Sequence, residues 1–143
     1  MMSVSGESSP SLDPGALRIS LEQTPHAPAL ARAAISGFSD GLEIAPARLA
    51  TLLLLVSEVV TNAVIHSQAT AEAEILFAAR VTDGGALRVE VTDAGEGFTP
   101  RARDPNHPGG GYGLYLVEQE ALCWGVDRPG GTRVWFELAT HAG

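Results

Sequence analysis

The sequence contains no lysine, and all nine of its basic residues are arginine. The chain therefore has neither the phosphate-binding lysine of a Walker-type loop nor the strand lysine of the eukaryotic-type protein kinases. It also cannot form a Schiff base with a carbonyl substrate. Any phosphate-binding site in this chain must be built from other groups.

Cysteine and basic charge are also scarce. A single cysteine, Cys123, cannot form a disulfide within the chain, and no basic segment followed by an apolar run of signal-peptide length opens the sequence. We therefore expect a cytoplasmic protein. The formal net charge of −8 argues against direct nucleic-acid binding, which requires a clustered excess of basic groups.

Long apolar runs are absent as well. The most apolar segment, 49–56, is followed by Ser57 and Glu58, well short of the roughly 20 apolar residues that span a bilayer. It is predicted to be a core helix, and no membrane association is expected. With 143 residues, 45% of them apolar, the chain is long enough for one globular domain. We predict a flexible leader over residues 1–15 and a single domain over residues 16–140.

The hydrophobic pattern predicts an α+β fold. Period-two alternation indicates strands, three- and four-residue steps indicate helices, and Asp83-Gly84-Gly85 favours a tight hairpin. The order β, α, α, β, β, α, β, β suggests a two-layer α/β sandwich with helices on one face of a mixed, largely antiparallel sheet. Four strands are predicted around 17–21, 72–81, 86–93 and 134–138, and a fifth strand is expected just before 134–138. The helices are predicted around 27–38, 46–66 and 114–122.

The second predicted helix carries two polar residues in an apolar environment. Glu58 is the only charged residue within 49–65, and Asn62 follows one helical turn later. An amide oxygen is a suitable ligand for Mg²⁺, and a carboxylate held beside it can deprotonate a hydroxyl or water that attacks a γ-phosphate. The pair is equally compatible with side chains that bond to backbone groups near a helix end.

Two glycine-rich segments follow. Asp93-Ala94-Gly95-Glu96-Gly97 comes directly after a strand, where the carboxylate can accept a hydrogen bond from the exocyclic amine of adenine. The same string is also ordinary turn chemistry. The segment 109–113 runs into the third helix, so that backbone N–H groups can face a phosphate. It can also be a plain linker, and no strand precedes it, which argues against a Rossmann site.

Taken together and in order, these motifs resemble the GHKL ATPase superfamily. The resemblance rests on Ser57–His66, Asp93–Gly97, Gly109–Leu114 and Gly131-Thr132, and it covers roughly residues 17–138. The short length and the Ser-Glu-x-x-Thr-Asn-Ala string are similar to the anti-sigma-factor serine kinases of the RsbW/SpoIIAB type. Sensor histidine kinases share the motifs but phosphorylate a histidine on a helical hairpin, and we predict no such hairpin here.

The resemblance implies a Bergerat fold that binds ATP with Mg²⁺. It implies Glu58 as the catalytic base, Asn62 as the metal ligand, Asp93 as the adenine contact and Thr132 as its support. The loop residues Arg101 and Arg103 can reach phosphates or be merely solvated, and His66 is interpreted as structural. The predicted cofactor-binding residues are Asn62, Asp93, Gly95, Gly97, Gly109, Gly110, Gly111, Tyr112, Gly113, Leu114 and Thr132.

The resemblance also implies a function and partners. Proteins of this type sequester a sigma factor and phosphorylate a serine of a small anti-anti-sigma (STAS-type) protein, and they form homodimers. A second possibility is a nucleotide-gated binding module that transfers no phosphate. A third is an interaction domain that no longer binds nucleotide, which the presence of Glu58, Asn62 and Asp93 disfavours.

Overall fold

The computed structural model of the chain describes residues 16–66, 74–93, 114–127 and 131–141. Within these ranges five strands and three helices follow one another in the predicted order. The predicted leader, residues 1–15, lies outside them. The elements are β1 (Ala16–Glu22), α1 (Ala27–Ser39), α2 (Pro46–His66), β2 (Glu74–Val81), β3 (Leu87–Asp93), α3 (Leu114–Glu120), β4 (Cys123–Asp127) and β5 (Thr132–Leu138).

The five strands form one sheet in the order β1-β2-β3-β5-β4, and every neighbouring pair is antiparallel. The predicted hairpin joins β2 to β3. Its turn is closed where the amide of Thr82 donates to the carbonyl of Ala86, at 2.8 Å, and Gly85 has a φ of 86°. A side chain at this φ would be strained, which explains the glycine at that position.

Alternating side chains give the sheet one buried face. Along β3 every second residue from Leu87 to Asp93 is buried, and β5 repeats the pattern from Thr132 to Leu138. The helices α1 and α2 cover this face. The architecture is therefore the predicted α+β two-layer sandwich. The largest fully buried side chains include Phe77, Phe136, Ile35, Leu52, Leu55, Ile75, Leu87, Leu114 and Leu138.

Helix α2 is the longest element, with 21 residues. By length and composition alone it could cross a membrane. In this fold, however, α2 packs against α1, α3 and the strands β3 and β5, so that its most apolar residues lie in the protein interior. The residues of α2 with no more than 1% exposure are Leu52, Leu55, Val56, Val59 and Val60.

The third helix is shorter than the pattern predicted. It ends at Glu120, whereas Ala121 and Leu122 were expected to belong to it. The amide of Leu122 instead donates to the carbonyl of Glu137, at 2.8 Å, and leads the chain into β4. This tertiary hydrogen bond to β5 replaces the next helical one. The exposed apolar side chain of Leu122 only mimics a continuation of the helical stripe.

Candidate functional site

Asn62 is the most unusual polar residue of α2. Its side chain is only 3% exposed, yet neither its amide oxygen nor its amide nitrogen has a hydrogen-bond partner among the residues that the structure describes. An unsatisfied buried polar group of this kind costs on the order of 1–3 kcal/mol. A ligand that accepts from the nitrogen or binds the oxygen would remove this cost.

Glu58 lies one turn before Asn62 and is half-buried. It forms no hydrogen bond or ion pair within the described ranges, so its carboxylate is available to a ligand. The adjacent Ser57 is fixed in place. Its hydroxyl donates to the carbonyl of Leu53, at 2.8 Å, and accepts a hydrogen bond from Nη1 of Arg32 on α1, at 2.9 Å. These two hydrogen bonds link the segment of α2 next to Glu58 to α1.

Asp93 and Thr132 stand at one end of the sheet. Asp93 is the last residue of β3, Thr132 is the first of β5, and the antiparallel register places them directly opposite each other. Both belong to the face that the helices cover, and they are only 3% and 1% exposed. Directly opposite residues have Cβ atoms about 4.5–5.5 Å apart, so the two side chains are neighbours.

The path of α2 brings the two pairs toward the same end of the sheet. The amide of Ala45, just before α2, donates to the carbonyl of Thr140, just after β5, at 2.9 Å. The helix therefore begins at the end of the sheet where β5 finishes, and it packs along β3 and β5. Asn62 lies about 24 Å along the helix from Pro46, and Thr132 lies about 27 Å along the strand from Thr140. These lengths are similar, so α2 is long enough to bring Asn62 toward the level of Thr132.

A second constraint gives the same placement. Helix α2 ends at His66, and β2 begins only eight residues later at Glu74. The next residue, Ile75, pairs with Asp93. Strand β2 therefore begins at the same end of the sheet as Asp93. The Ala45–Thr140 hydrogen bond and this start of β2 are both compatible with an α2 that runs toward the Asp93 end of the sheet.

Helix α3 approaches α2 from the side. It packs against α2, and Nη2 of Arg48 lies 3.6 Å from Oε1 of Glu120, so the last turn of α3 meets the first turn of α2. The first residue of α3, Leu114, is 1% exposed and belongs to the hydrophobic core.

Other predicted site residues lie outside the described ranges: Gly95, Gly97, Gly109, Gly110, Gly111, Tyr112 and Gly113, together with Arg101 and Arg103. Their roles stay predictions. Within the described ranges no group of three or more His, Cys, Asp or Glu side chains is placed to hold a metal. Mg²⁺, with few protein ligands and several waters or phosphate oxygens, is compatible with the single amide oxygen of Asn62.

Sequence reasoning missed the contact of Arg32. The hydrophobic pattern predicted one apolar stripe of α1 that comprises Leu30, Ala31, Ala34, Ile35 and Phe38. Ala31 and Ile35 are fully buried, whereas Leu30 is 52% exposed. Nothing in that stripe indicated that Arg32 would reach Ser57 on α2, since the contact joins residues 25 positions apart. Such a contact depends on how the two helices pack and leaves no local signal.

A comparison with family models gives one match over most of the chain. The model described as a histidine kinase-like ATPase domain matches residues 21–138. This interval contains Glu58, Asn62, Asp93 and Thr132. Among curated protein sequences the chain has no significant match.

Solved structures support the same fold. A crystal structure of the RsbU and RsbW domains of Rv1364c from Mycobacterium tuberculosis matches 90% of this chain and 33% of that one, with 22% identity and a TM-score of 0.69. The histidine kinase domain of a blue-light activated histidine kinase from Erythrobacter litoralis EL346 matches 65% of this chain and 45% of that one, with 32% identity and a TM-score of 0.52. A second structure of that kinase matches 69% of this chain and 32% of that one, with 30% identity and a TM-score of 0.56. The chain thus spans less than half the length of each of these three structures.

Proposed function

Given that this chain belongs to the histidine kinase-like ATPase domain family, we propose that it is a regulatory serine kinase that binds ATP with Mg²⁺. In this proposal it transfers the γ-phosphate to a serine of an anti-anti-sigma (STAS-type) protein and also sequesters a sigma factor. The domain is an ATPase domain of the GHKL type, and its structural neighbours include an RsbW domain and a histidine kinase.

The observation that carries the proposal is the buried amide of Asn62. Both polar atoms of this side chain lack a partner within the described part of the chain, and α2 is long enough to bring Asn62 toward the end of the sheet where the buried Asp93 and Thr132 lie. A buried polar group without a partner is rare in native proteins and calls for an explanation, and a bound ion or ligand supplies one. In the proposed complex the amide oxygen of Asn62 would hold Mg²⁺, and the carboxylate of Asp93 would accept a hydrogen bond from the adenine amine.

The proposed transfer assigns one proton step to this chain. The carboxylate of Glu58 takes the proton from the serine hydroxyl of the partner protein. The serine oxygen forms a bond to the γ-phosphorus, the bond from that phosphorus to the bridging oxygen breaks, and ADP leaves with the electron pair. The chemistry that Mg²⁺ supplies when it is bound is neutralisation of the phosphate charge. The Arg32–Ser57 contact holds the helix backbone next to Glu58.

Calorimetric titration with ATP, with and without Mg²⁺, tests the nucleotide site. We expect the wild-type chain to bind ATP and Mg²⁺ to strengthen that binding. Asp93→Ala should lose about tenfold or more in affinity, since a hydrogen bond to a charged group contributes about 1.5–3 kcal/mol. Glu22→Gln, an exposed carboxylate on β1, serves as a control and should bind ATP like the wild type. Absence of ATP binding by the wild type would overturn the proposal.

Phosphotransfer is tested separately with labelled ATP and candidate anti-anti-sigma proteins. Glu58→Gln should bind ATP normally and transfer at least about a hundredfold more slowly, within the range of a lost general base. Label that is stable to acid indicates phosphoserine, whereas acid-labile label indicates a histidine kinase activity instead. ATP binding without transfer to any candidate partner would favour a nucleotide-gated binding module.

A further inference from the structure

The face of the sheet that α1 and α2 leave uncovered carries a cluster of arginines. Arg18 on β1, Arg80 on β2 and Arg88 on β3 all belong to this face by the strand alternation. In the register, Arg80 lies directly opposite Arg88, and Arg18 lies opposite Ala78, two residues from Arg80 on the same strand. Like charges that face each other directly across a strand pair are destabilising, so the cluster must be compensated.

Only one of the three arginines is compensated within the described ranges. Arg88 bonds to Glu90 at 2.8 Å and to Glu137 at 3.1 Å, and its guanidinium stacks on the ring of Trp135, at 4.1 Å from the centroid. Arg18 and Arg80 are exposed and have no hydrogen bond or ion pair to any described residue. The positive charges of Arg18 and Arg80 therefore remain available to a partner, next to the guanidinium of Arg88, which is held in place and neutralised.

The arginines surround a groove. It has a volume of about 100 Å³, and its lining includes Leu17, whose side chain packs on the core, and the small side chains of Ala16 and Ala78 between the charged groups. Because two of these residues are alanines, the surface is lowered between the long side chains of Arg18 and Arg80. The groove therefore combines an apolar floor with cationic walls, which suits a side chain with an aliphatic stem and a carboxylate head.

The charge of the groove opposes the charge of the whole chain. Its lining holds three arginines and one carboxylate, Glu90, whereas the chain has a net charge of −8. A nucleic acid would meet repulsion from the rest of the molecule along its length. A short acidic segment can engage the groove alone, since charges more than about 10 Å away are largely screened at 0.1 M ionic strength.

We infer that this groove is a docking site for an acidic segment of a partner protein, in which glutamate or aspartate carboxylates pair with Arg18 and Arg80. The guanidinium of Arg88, stacked on Trp135 and held by ion pairs with Glu90 and Glu137, forms the fixed side of the groove against which the segment lies. The site is on the opposite face of the sheet from Asn62 and Asp93. Its occupation therefore does not depend on the nucleotide function proposed above.

The test uses the full chain without nucleotide and a fluorescein-labelled oligoglutamate peptide as the probe. Fluorescence anisotropy should show binding that weakens as salt is raised, and oligoglutamine should not bind. Arg18→Gln and Arg80→Gln should each weaken binding about three- to fivefold, the range of an exposed ion pair. Arg80→Gln should also leave the melting temperature unchanged or raise it, because it removes the repulsion from Arg88.

Arg133→Gln is the matched control. Arg133 lies on the same face and loses the same charge, but it is already paired with Asp127 at 2.8 Å and 3.2 Å. Its substitution should leave peptide affinity within about twofold of the wild type. Equal losses of peptide affinity in Arg133→Gln and Arg80→Gln would overturn the inference. Full displacement of the peptide by equimolar inorganic phosphate would also overturn it. So would a wild-type homodimer that dissociates in the Arg80→Gln variant, as measured by sedimentation.

Discussion

Asp93 and Thr132 face each other across β3 and β5 and are both buried. If Thr132 supports Asp93 in a nucleotide site, Thr132→Val should weaken ATP binding about five- to tenfold, the effect of one neutral hydrogen bond. Calorimetry measures this change. Thr92→Val is the matched control, because Thr92 is the preceding residue on β3 but belongs to the opposite face of the sheet. An equal loss of affinity in both variants would contradict the role of Thr132.

Asn62→Leu should separate stability from ligand binding. Leucine has the same branching and number of side-chain heavy atoms as asparagine but needs no hydrogen-bond partner, whereas both amide atoms of Asn62 lack one within the described ranges. We expect the free energy of unfolding of the nucleotide-free protein to rise by about 1–3 kcal/mol, as often happens when a functional polar group is removed.

The same variant should lose the enhancement of ATP binding by Mg²⁺. Urea unfolding measures the stability change, and calorimetry with and without Mg²⁺ measures the binding change. Asn62→Asp is a useful second variant, because a carboxylate can still offer oxygen to Mg²⁺ and should retain part of the enhancement. Retention of the full Mg²⁺ enhancement by Asn62→Leu would contradict the role of Asn62 as the metal ligand.

Much of the fold could be predicted because its signals are local. The helix at 46–66 was predicted with the bounds that the structure has, since Pro46 fits a first helical turn and the apolar stripe is continuous. The β2–β3 hairpin was equally clear from Asp83-Gly84-Gly85. Strand order was not predictable in this way, because the pairing of β3 with β5 joins distant segments and depends on how the whole sheet buries its face.

In the candidate site, too, the local features could be predicted and the tertiary contacts could not. Glu58 and Asn62 are one helical turn apart, so a periodic pattern was enough to pair them. Their approach to Asp93 depends on the hydrogen bond between Ala45 and Thr140, which sets where α2 begins on the sheet. The end of α3 was predicted wrongly for a similar reason, because Leu122 bonds to Glu137 of β5 and a local pattern cannot show this.

Gly125→Ala tests the packing of the uncovered face. A Cβ at Gly125 would lie 2.8 Å from Cζ2 of Trp135, whose ring also carries the stacked guanidinium of Arg88. The ring cannot move without disturbing that stack, so we expect a loss of about 1–3 kcal/mol in unfolding free energy. Gly37→Ala is the control. Gly37 lies in α1, where an added methyl group would meet no side chain or distant backbone atom of the described residues within 4 Å, and alanine should stabilise the protein by about 0.5–1 kcal/mol.

Cys123 should react slowly with thiol reagents although it is exposed. Partial burial raises the pKa of its thiol above the ordinary value. The negative charge of Glu137 and a hydrogen bond to it raise the pKa further, against a smaller opposing effect of Arg88. Only the thiolate attacks disulfide reagents. The pH midpoint of the reaction should therefore lie higher in the folded protein than in the same protein unfolded in urea.

Glu137→Gln should move this midpoint down toward that of the unfolded chain, because it removes the charge that opposes the thiolate. The free energy of unfolding should also depend on pH, because the thiol has different pKa values in the folded and unfolded states. A thiol whose pKa is raised by folding binds its proton more tightly in the folded state, so the unfolding free energy should fall as pH rises through the unfolded pKa and level off above the folded one. Cys123→Ser should lessen this alkaline loss. A folded midpoint at or below the unfolded one would show that Arg88, rather than Glu137, dominates the environment of the thiol.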